Sequence, residues 1–299
     1  MNRVVLVTAL MSLDTRLRLA RLHLITDVRE SSRDFGDFVS AAFAGGVDVI
    51  QIRDTKADDD ALASALEQAR EIAYASNGLV VIGNAPDVAS RSKADALHLG
   101  AASGMTPRQG RRYLHKWGLL GQSVHDTADL GRALKSTGVN YLFVGPVFGT
   151  VQGAETPGLA FVTAAARKVP ASKPDGVPWF AVGGVTLDNL SDVLAAGARR
   201  VAVSAAVTRA SDPQAAAQAL RDVLDEAWAS DEMRAYVEAQ IPPATATLHP
   251  SEHAQGEQAQ GEPAQHEQAE GEQAQHEQAQ HEQAEEGEHQ QGEAGELSL

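Results

Sequence analysis

The stretch Pro178–Val207, PWFAVGGVTLDNLSDVLAAGARRVAVSAAV, decides the fold, because it reads as strand, glycine turn, helix and strand. Trp179–Val182 is an apolar run that is too short for a helix, and two glycines end it. A segment with helical spacing follows and stops at Gly197. Val201–Val203 is the next buried strand, and small residues lead out of it. The stretch therefore predicts one βαβ unit with a turn after each strand.

These two turns leave backbone N–H groups free to face an anion. Gly183 and Gly184 follow the first strand of the unit, and Ser204 and Ala205 follow the second. In an eight-fold β/α barrel, the turns after strands seven and eight commonly form a phosphate site. If six more β/α units precede this one, the four residues predict the place where a substrate's phosphate binds.

Upstream of that stretch, short apolar runs alternate with helical patterns. Six further strands are predicted, at residues 22–26, 47–52, 79–82, 96–99, 118–122 and 140–144. Strands that alternate with helices in this way indicate parallel βαβ units. We predict an α/β fold, a closed (β/α)8 TIM barrel over residues 21–230. A doubly wound open sheet is the alternative, although no GxGxxG follows the first strand to support dinucleotide binding.

The composition changes abruptly near Ile241. The net charge is −15, but residues 251–299 contain thirteen Glu and no Lys or Arg, so the preceding part is close to neutral. Glu recurs every five residues from Glu252 to Glu282, a period that gives a helix no continuous apolar face. We predict an N-terminal extension at residues 1–20, a linker at 231–250 and a disordered acidic low-complexity tail at 251–299.

Composition also bounds the partners. There is no Cys, so disulfides, thiolate metal sites and cysteine nucleophiles are excluded, and a cytoplasmic location is expected. The apolar run Val4–Met11 is too short to span a membrane. We expect a small-molecule phosphate substrate, no nucleic acid and no membrane partner, and we leave a homo-oligomer open.

Polar residues occur at nearly every predicted strand end. On a barrel they share one rim, the face where barrel active sites form. One such residue is often only a helix cap, but the full set predicts a functional site. Its members are Thr26, Asp27, Gln51, Arg53, Asn84, His98, Ser123, His125, Thr150, Gly183, Gly184 and Ser204.

Six blocks of the sequence resemble thiamine phosphate synthase and its relative, the TenI-type thiazole tautomerase. The blocks are LHLITD (22–27), GGVDVIQIRD (45–54), ADALHLG (94–100), GQSVHD (121–126), YLFVGPVFGT (141–150) and WFAVGGVTLDNL (179–190). They cover about residues 21–228, in order and at the family's spacing. The resemblance implies the condensation of hydroxymethylpyrimidine diphosphate with thiazole phosphate, with Mg²⁺ as cofactor. Diphosphate leaves, and the thiazole nitrogen captures the resulting cation.

The resemblance also implies residue roles. Gln51 and Arg53 match diphosphate contacts, although Arg53 could instead form a salt bridge at the rim. Gly183, Gly184 and the turn at Ser204 and Ala205 match the thiazole-phosphate cradle. Ser123 and Thr150 match pocket positions, and His125 matches the tautomerase acid/base unless it caps the following helix. We assign Asn84 and His98 to substrate binding, and catalysis to Arg53, Ser123 and His125.

Four positions depart from the family pattern. Thr55 stands where the family has Lys, and Gly83-Asn84-Ala85 where the third strand normally ends Asn-Asp, an Mg²⁺ ligand. Residues 101–103 lack the second Asp ligand, and residues 151–153 lack a Lys. Mg²⁺ would then rely mainly on substrate oxygens, and Asp27 and Asp54 are the nearest replacements. We therefore predict weakened condensation, with the tautomerase or a non-catalytic phosphate binder as alternatives.

Overall fold

The computed structural model describes residues 11–29, 34–149 and 156–241. Within this part, eight parallel strands form a closed barrel in sequence order. The barrel closes where β1 pairs with β8, with Leu22 beside Val201, so the TIM barrel is confirmed and the open sheet is wrong. The strands are β1 (Leu22–Thr26), β2 (Val49–Ile52), β3 (Leu79–Gly83), β4 (Ala96–Leu99), β5 (Leu119–Val124), β6 (Tyr141–Val144), β7 (Trp179–Val182) and β8 (Val201–Val203).

Helices alternate with these strands. None of the described helices has both the length and the apolar character required to cross a bilayer. The α-helices are α1 (Leu13–Leu19), α2 (Phe35–Ala44), α3 (Asp59–Ser76), α4 (Pro86–Arg91), α5 (Pro107–Gly110), α6 (Thr127–Ala133), α7 (Gly158–Lys168), α8 (Leu190–Ala195), α9 (Ala205–Thr208), α10 (Pro213–Trp228) and α11 (Asp231–Gln240).

The alternation of side chains along each strand divides the apolar residues into two cores. Leu24 and Ile50 face outward and pack with the helices in the larger cluster. Val49, Tyr141 and Phe180 face inward and fill the barrel in a smaller cluster. A strand buried on both faces reads as a continuous apolar run, which explains the unbroken runs in the sequence.

Two helices extend beyond the predicted barrel limits of residues 21 and 230. In α1, Leu17 is buried and joins the cluster that fills the barrel. In α11, which lies in the predicted linker, Met233 and Tyr236 are buried with Trp228. The Tyr236 hydroxyl donates to the Arg18 carbonyl oxygen at 3.1 Å. The predicted tail at 251–299 lies outside the described residues.

Gly121 makes room for a large side chain inside the barrel. Gly121 on β5 lies beside Tyr141 on β6 in the strand register. A Cβ atom at Gly121 would overlap the Tyr141 ring. Since Tyr141 is fully buried, its ring cannot relieve this overlap by turning out into solvent.

We expect Gly121→Ala to destabilise the protein by about 1–3 kcal/mol, because overpacking a closed interior forces side chains off their rotamers. Gly131→Ala on α6 is the matched control, since a Cβ there meets only the end of the Lys168 side chain. The control should be neutral or stabilising, as Ala favours helix over Gly. Urea unfolding measures both variants, and an unchanged midpoint for Gly121→Ala would contradict the packing explanation.

Two histidines lie inside the barrel. His23 is surrounded by aromatic rings, with its centroid 4.8 Å from that of Phe143 and 5.3 Å from that of Phe180. Burial lowers the pKa of His23 well below its ordinary value. Burial, followed by the charge of Arg53, lowers the pKa of His98 to about 3. Both imidazoles are therefore neutral in the folded protein at neutral pH.

Because the unfolded chain protonates these histidines near pH 6.5 and the folded protein does not, stability should fall as the pH drops below that value. Each histidine contributes roughly 1 kcal/mol per pH unit in this range. We expect His23→Leu to have a shallower loss of stability between pH 6.5 and 5 than the unchanged protein. Urea unfolding at several pH values tests this, and equal slopes for the two proteins would refute it.

Candidate active site at the carboxyl ends of the strands

A cavity of about 270 Å³ opens at the carboxyl ends of the strands. Seven of the residues predicted from sequence line it, because they end or directly follow strands β2, β3, β4, β5 and β7. They are Gln51, Arg53, Asn84, His98, Ser123, His125 and Gly183. Thr150, also assigned to this site, lies outside the described residues.

Gln51 and Arg53 both line the cavity, the first buried and the second exposed. Gln51 is buried, and its Oε1 atom has no hydrogen-bonding partner among the described residues. The backbone N–H of Arg53 donates to the Thr26 carbonyl oxygen at 2.8 Å, which anchors the residue. Its exposed guanidinium forms no ion pair with any described acidic residue, so the rim salt bridge considered for Arg53 is not present there.

Asn84 joins the ends of β3 and β4. Its backbone has a left-handed conformation with φ of 58°. Its Oδ1 atom accepts a hydrogen bond from the Gly100 N–H at 2.7 Å, and its own N–H donates to the His98 carbonyl oxygen. The side-chain amide oxygen is therefore engaged, and the NH₂ group remains for a ligand.

His98 and Ser123 are hydrogen-bonded to each other. His98 Nε2 is 3.0 Å from Ser123 Oγ, and His98 Nδ1 is 3.2 Å from the Tyr141 hydroxyl oxygen. The His98 ring also packs on Phe143, with ring centroids 4.1 Å apart. Both ring nitrogens of His98 are thus occupied within the protein.

His125 has one ring nitrogen fixed and one available. Its Nδ1 atom is 2.9 Å from the Gly145 carbonyl oxygen. Since a carbonyl oxygen only accepts, Nδ1 carries the proton, and Nε2 of the neutral ring is the basic nitrogen. Asp126, rather than His125, caps α6 by accepting from the Asp129 N–H at 2.7 Å. The capping role considered for His125 is therefore wrong.

The two predicted phosphate turns lie side by side. Val182 pairs with Ala202, so the residues that follow β7 and β8 emerge next to each other. Gly184, Ser204 and Ala205 are exposed at this part of the rim, outside the cavity lining itself. The backbone N–H groups of residues 184, 185, 205 and 206 donate to no acceptor of the described residues.

The two glycines are also required by packing. Gly183 and Gly184 have φ of 102° and 66°, the left-handed region that favours glycine. A Cβ at Gly183 would lie 2.6 Å from Pro146 Cβ, and one at Gly184 would lie 2.8 Å from Phe148 Cβ. The loop after β6 therefore approaches this turn too closely for any side chain.

Neither Asp27 nor Asp54, the two nearby carboxylates, lines the cavity. Asp54 Oδ1 accepts from the Lys56 N–H at 2.8 Å, a hydrogen bond that lowers the pKa of this carboxyl. Asp27 Oδ1 accepts from the Arg29 N–H at 3.1 Å. No Asp or Glu is among the described residues that line the cavity. Because Mg²⁺ prefers carboxylate ligands, this set of donors does not fit a protein-held Mg²⁺ ion.

Sequence reasoning missed six lining residues that carry no charge. Phe143 lies two positions after Tyr141 and so faces the same side of β6, but the uniformly apolar strand does not tell which side is the interior. The apolar side chains and glycines gave no sign that they face a ligand. The six are Ile25, Gly100, Phe143, Gly145, Pro146 and Val182.

Comparison with known proteins agrees with this geometry. A family model described as thiamine monophosphate synthase matches residues 22–207. A thiamine-phosphate synthase of Saccharopolyspora erythraea is 39% identical over 216 residues, which cover 70% of this chain and 95% of that protein. One of Thermobifida fusca is 40% identical over 210 residues, covering 70% and 94%.

A solved structure shows the same likeness. The thiamine phosphate pyrophosphorylase of Pyrococcus furiosus superposes with a TM-score of 0.62 and 28% sequence identity, over 72% of this chain and 99% of that one. With a family model that spans β1 to β8 and relatives that match over nearly their whole length, this chain belongs to the thiamine monophosphate synthase family.

Proposed function

We propose that this protein binds a thiazole phosphate and a hydroxymethylpyrimidine diphosphate in the cavity, and joins them slowly to thiamine phosphate. The observation that supports this proposal is the meeting of Gln51, Arg53 and Ser123 in one cavity, beside two turns with free N–H groups. We also propose a cytoplasmic location, which is the location expected of a chain without Cys.

Arg53 is suited to the leaving diphosphate. It is the only Lys or Arg among the described lining residues, and none of its side-chain donors is used within the described part of the protein. A guanidinium presents a planar fork that matches two phosphate oxygens and keeps its charge. Arg53 would therefore stabilise the negative charge that develops as the C–O bond breaks.

The adjacent turns suit the thiazole phosphate. Four backbone N–H groups in the turns after β7 and β8 have no acceptor among the described residues. Backbone N–H groups in turns bind phosphate without a charged side chain. A phosphate held there places the ring of its ligand toward the cavity that Gly183 lines.

The reaction needs no protein nucleophile. The C–O bond to diphosphate breaks, the thiazole nitrogen supplies the electron pair for the new C–N bond, and diphosphate departs with the former bonding pair. The protein acts by orientation and by electrostatic stabilisation. With one cationic side chain and no carboxylate in the described lining, stabilisation of the leaving group is small, and we expect slow condensation.

Arg53→Ala should lower the rate of thiamine phosphate formation by at least about a hundredfold, because the diphosphate loses its only charged partner in the described lining. Arg53→Lys should recover part of that loss, since the charge remains and the fork is lost. Arg108→Ala is the control, as Arg108 is exposed on α5 outside the cavity. Product formation from both substrates with Mg²⁺ is the measurement.

An unchanged rate in Arg53→Ala would contradict the proposed role. Condensation by the unchanged protein at an ordinary enzymatic rate would contradict the proposed slowness. If the protein forms neither thiamine phosphate nor an aromatised thiazole but still binds the phosphorylated thiazole, it is a non-catalytic binder.

A second candidate function, the TenI-type tautomerisation of thiazole phosphate, is favoured by one observation. The bond from His125 Nδ1 to the Gly145 carbonyl oxygen leaves Nε2 as a base at the cavity. Proton transfer on a heterocycle needs such a base and no diphosphate departure.

His125→Ala separates the two functions. If condensation is the function, the variant should form thiamine phosphate within a few-fold of the unchanged rate, since no step of condensation uses that base. If tautomerisation is the function, aromatisation of the thiazole tautomer should fall by about a hundredfold or more. Ultraviolet absorbance of the thiazole measures the tautomerisation. Loss of condensation in His125→Ala would contradict the statement that condensation does not use the His125 base.

A further inference from the structure

A chain of three hydrogen-bonding side chains runs from inside the barrel to the cavity. The Tyr141 hydroxyl is 3.2 Å from His98 Nδ1, and His98 Nε2 is 3.0 Å from Ser123 Oγ. Tyr141 and His98 are buried, whereas Ser123 is partly exposed and lines the cavity. The direction of the two hydrogen bonds determines what Ser123 can offer a ligand.

The buried phenol fixes that direction. The Tyr141 hydroxyl has no hydrogen-bonding partner among the described residues other than His98. If His98 Nδ1 carried the proton, the phenol oxygen would accept it and the phenol hydrogen would be left unpaired in the barrel interior. A buried unpaired donor is unfavourable, so the phenol donates and Nδ1 accepts.

The remaining proton of His98 is then on Nε2. Burial keeps the imidazole neutral, with its pKa lowered to about 3, so the ring carries a single N–H. With Nδ1 accepting from Tyr141, Nε2–H donates to Ser123 Oγ. The hydroxyl hydrogen of Ser123 is not used in this bond and is free to turn toward the cavity.

We propose that Tyr141 and His98 are positioning residues that make Ser123 a hydrogen-bond donor to an acceptor atom of the bound substrate. That acceptor is an unprotonated ring nitrogen or a phosphate oxygen, the two kinds of acceptor in the substrates proposed above. The identity of the ligand rests on the proposed function, whereas the direction of the hydrogen bonds does not. It follows that His98, assigned to substrate binding from sequence, has no ring nitrogen left for a ligand.

Packing holds the chain in this arrangement. Gly121 leaves space for the Tyr141 ring, and Phe143 packs on the His98 ring with centroids 4.1 Å apart. The two aromatic residues lie on the same strand and face the same side of it, and the His98 ring, which extends from β4, contacts both. Rotation of the ring would break both hydrogen bonds, and their reversal would require the proton to move from Nε2 to Nδ1.

Nitrogen NMR of the full chain labelled at histidine tests the direction without any substrate. The His98 signals are assigned by their loss in His98→Gln. We expect Nδ1 of His98 to show the chemical shift of an unprotonated nitrogen and Nε2 that of a protonated one. Tyr141→Phe should move the Nδ1 signal, because the phenol donor is gone. A protonated Nδ1 in the unchanged protein would overturn the inference, whatever the activity.

A double-mutant cycle tests the consequence for substrate. Without the phenol, the His98 proton can move to Nδ1, and the Ser123 hydroxyl can then donate to His98 Nε2 and not to the substrate. Tyr141→Phe should therefore raise KM about tenfold, the effect of one lost hydrogen bond. In a Ser123→Ala background, Tyr141→Phe should have no further effect. Tyr74→Phe is the control, because Tyr74 is almost fully exposed on α3. Independent, additive effects of the two substitutions would overturn the inference.

Two further comparisons keep the test decisive. His98→Gln keeps an N–H near the position of Nε2 and should retain more activity than His98→Leu, while thermal unfolding reports whether each variant folds. If the unchanged protein forms neither product, the cycle is measured on the binding of hydroxymethylpyrimidine diphosphate, which carries both kinds of acceptor. If both products are absent and Nε2 is protonated, the proposed function is contradicted and the inferred direction of the hydrogen bonds is supported. Equal binding by all variants would contradict the role of Ser123.

Discussion

The pairing of β1 with β8 is the constraint on which the rest of the structure depends. Leu22 and Val201 come from the two ends of the barrel sequence, and their alignment closes the sheet. Closure removes both sheet edges, so every backbone polar group of the short strands can be paired despite their length of three to six residues. It also brings eight carboxyl ends together, and the polar residues at the ends of β2, β3, β4 and β5 then line one cavity.

The sequence was sufficient for the barrel and for the charged and polar part of the site, and the reason is physical. Gln51 and His98 stand out because a polar residue at the end of an apolar run has few explanations other than the rim. Phe143 and Tyr141 do not stand out, since strands buried on both faces give no contrast between inside and outside. The helices α1 and α11 were missed because each buries only one or two side chains, Leu17 in the first and Met233 and Tyr236 in the second.

The oxygen-bearing side chains nearest to the expected metal position form hydrogen bonds within the protein. Asn84 stands at the position associated with a metal ligand, and its side-chain oxygen is held by the Gly100 N–H. Asp54, the nearest acidic replacement, is held by backbone N–H groups of its own loop. The oxygen atoms that a divalent cation would need are therefore turned into the protein. The close approach of the loop after β6 requires glycine in the turn after β7 whether or not an anion binds there.

The first and last described helices meet at the face opposite the cavity. The Tyr236 hydroxyl and the buried Arg200 side chain both donate to the Arg18 carbonyl oxygen, at 3.1 and 2.8 Å. Because both helices attach there, they cover the side of the barrel remote from the cavity. Exposed side chains on α11, such as Glu232 and Arg234, are therefore suitable points for attaching the protein to a surface with the cavity facing away from it.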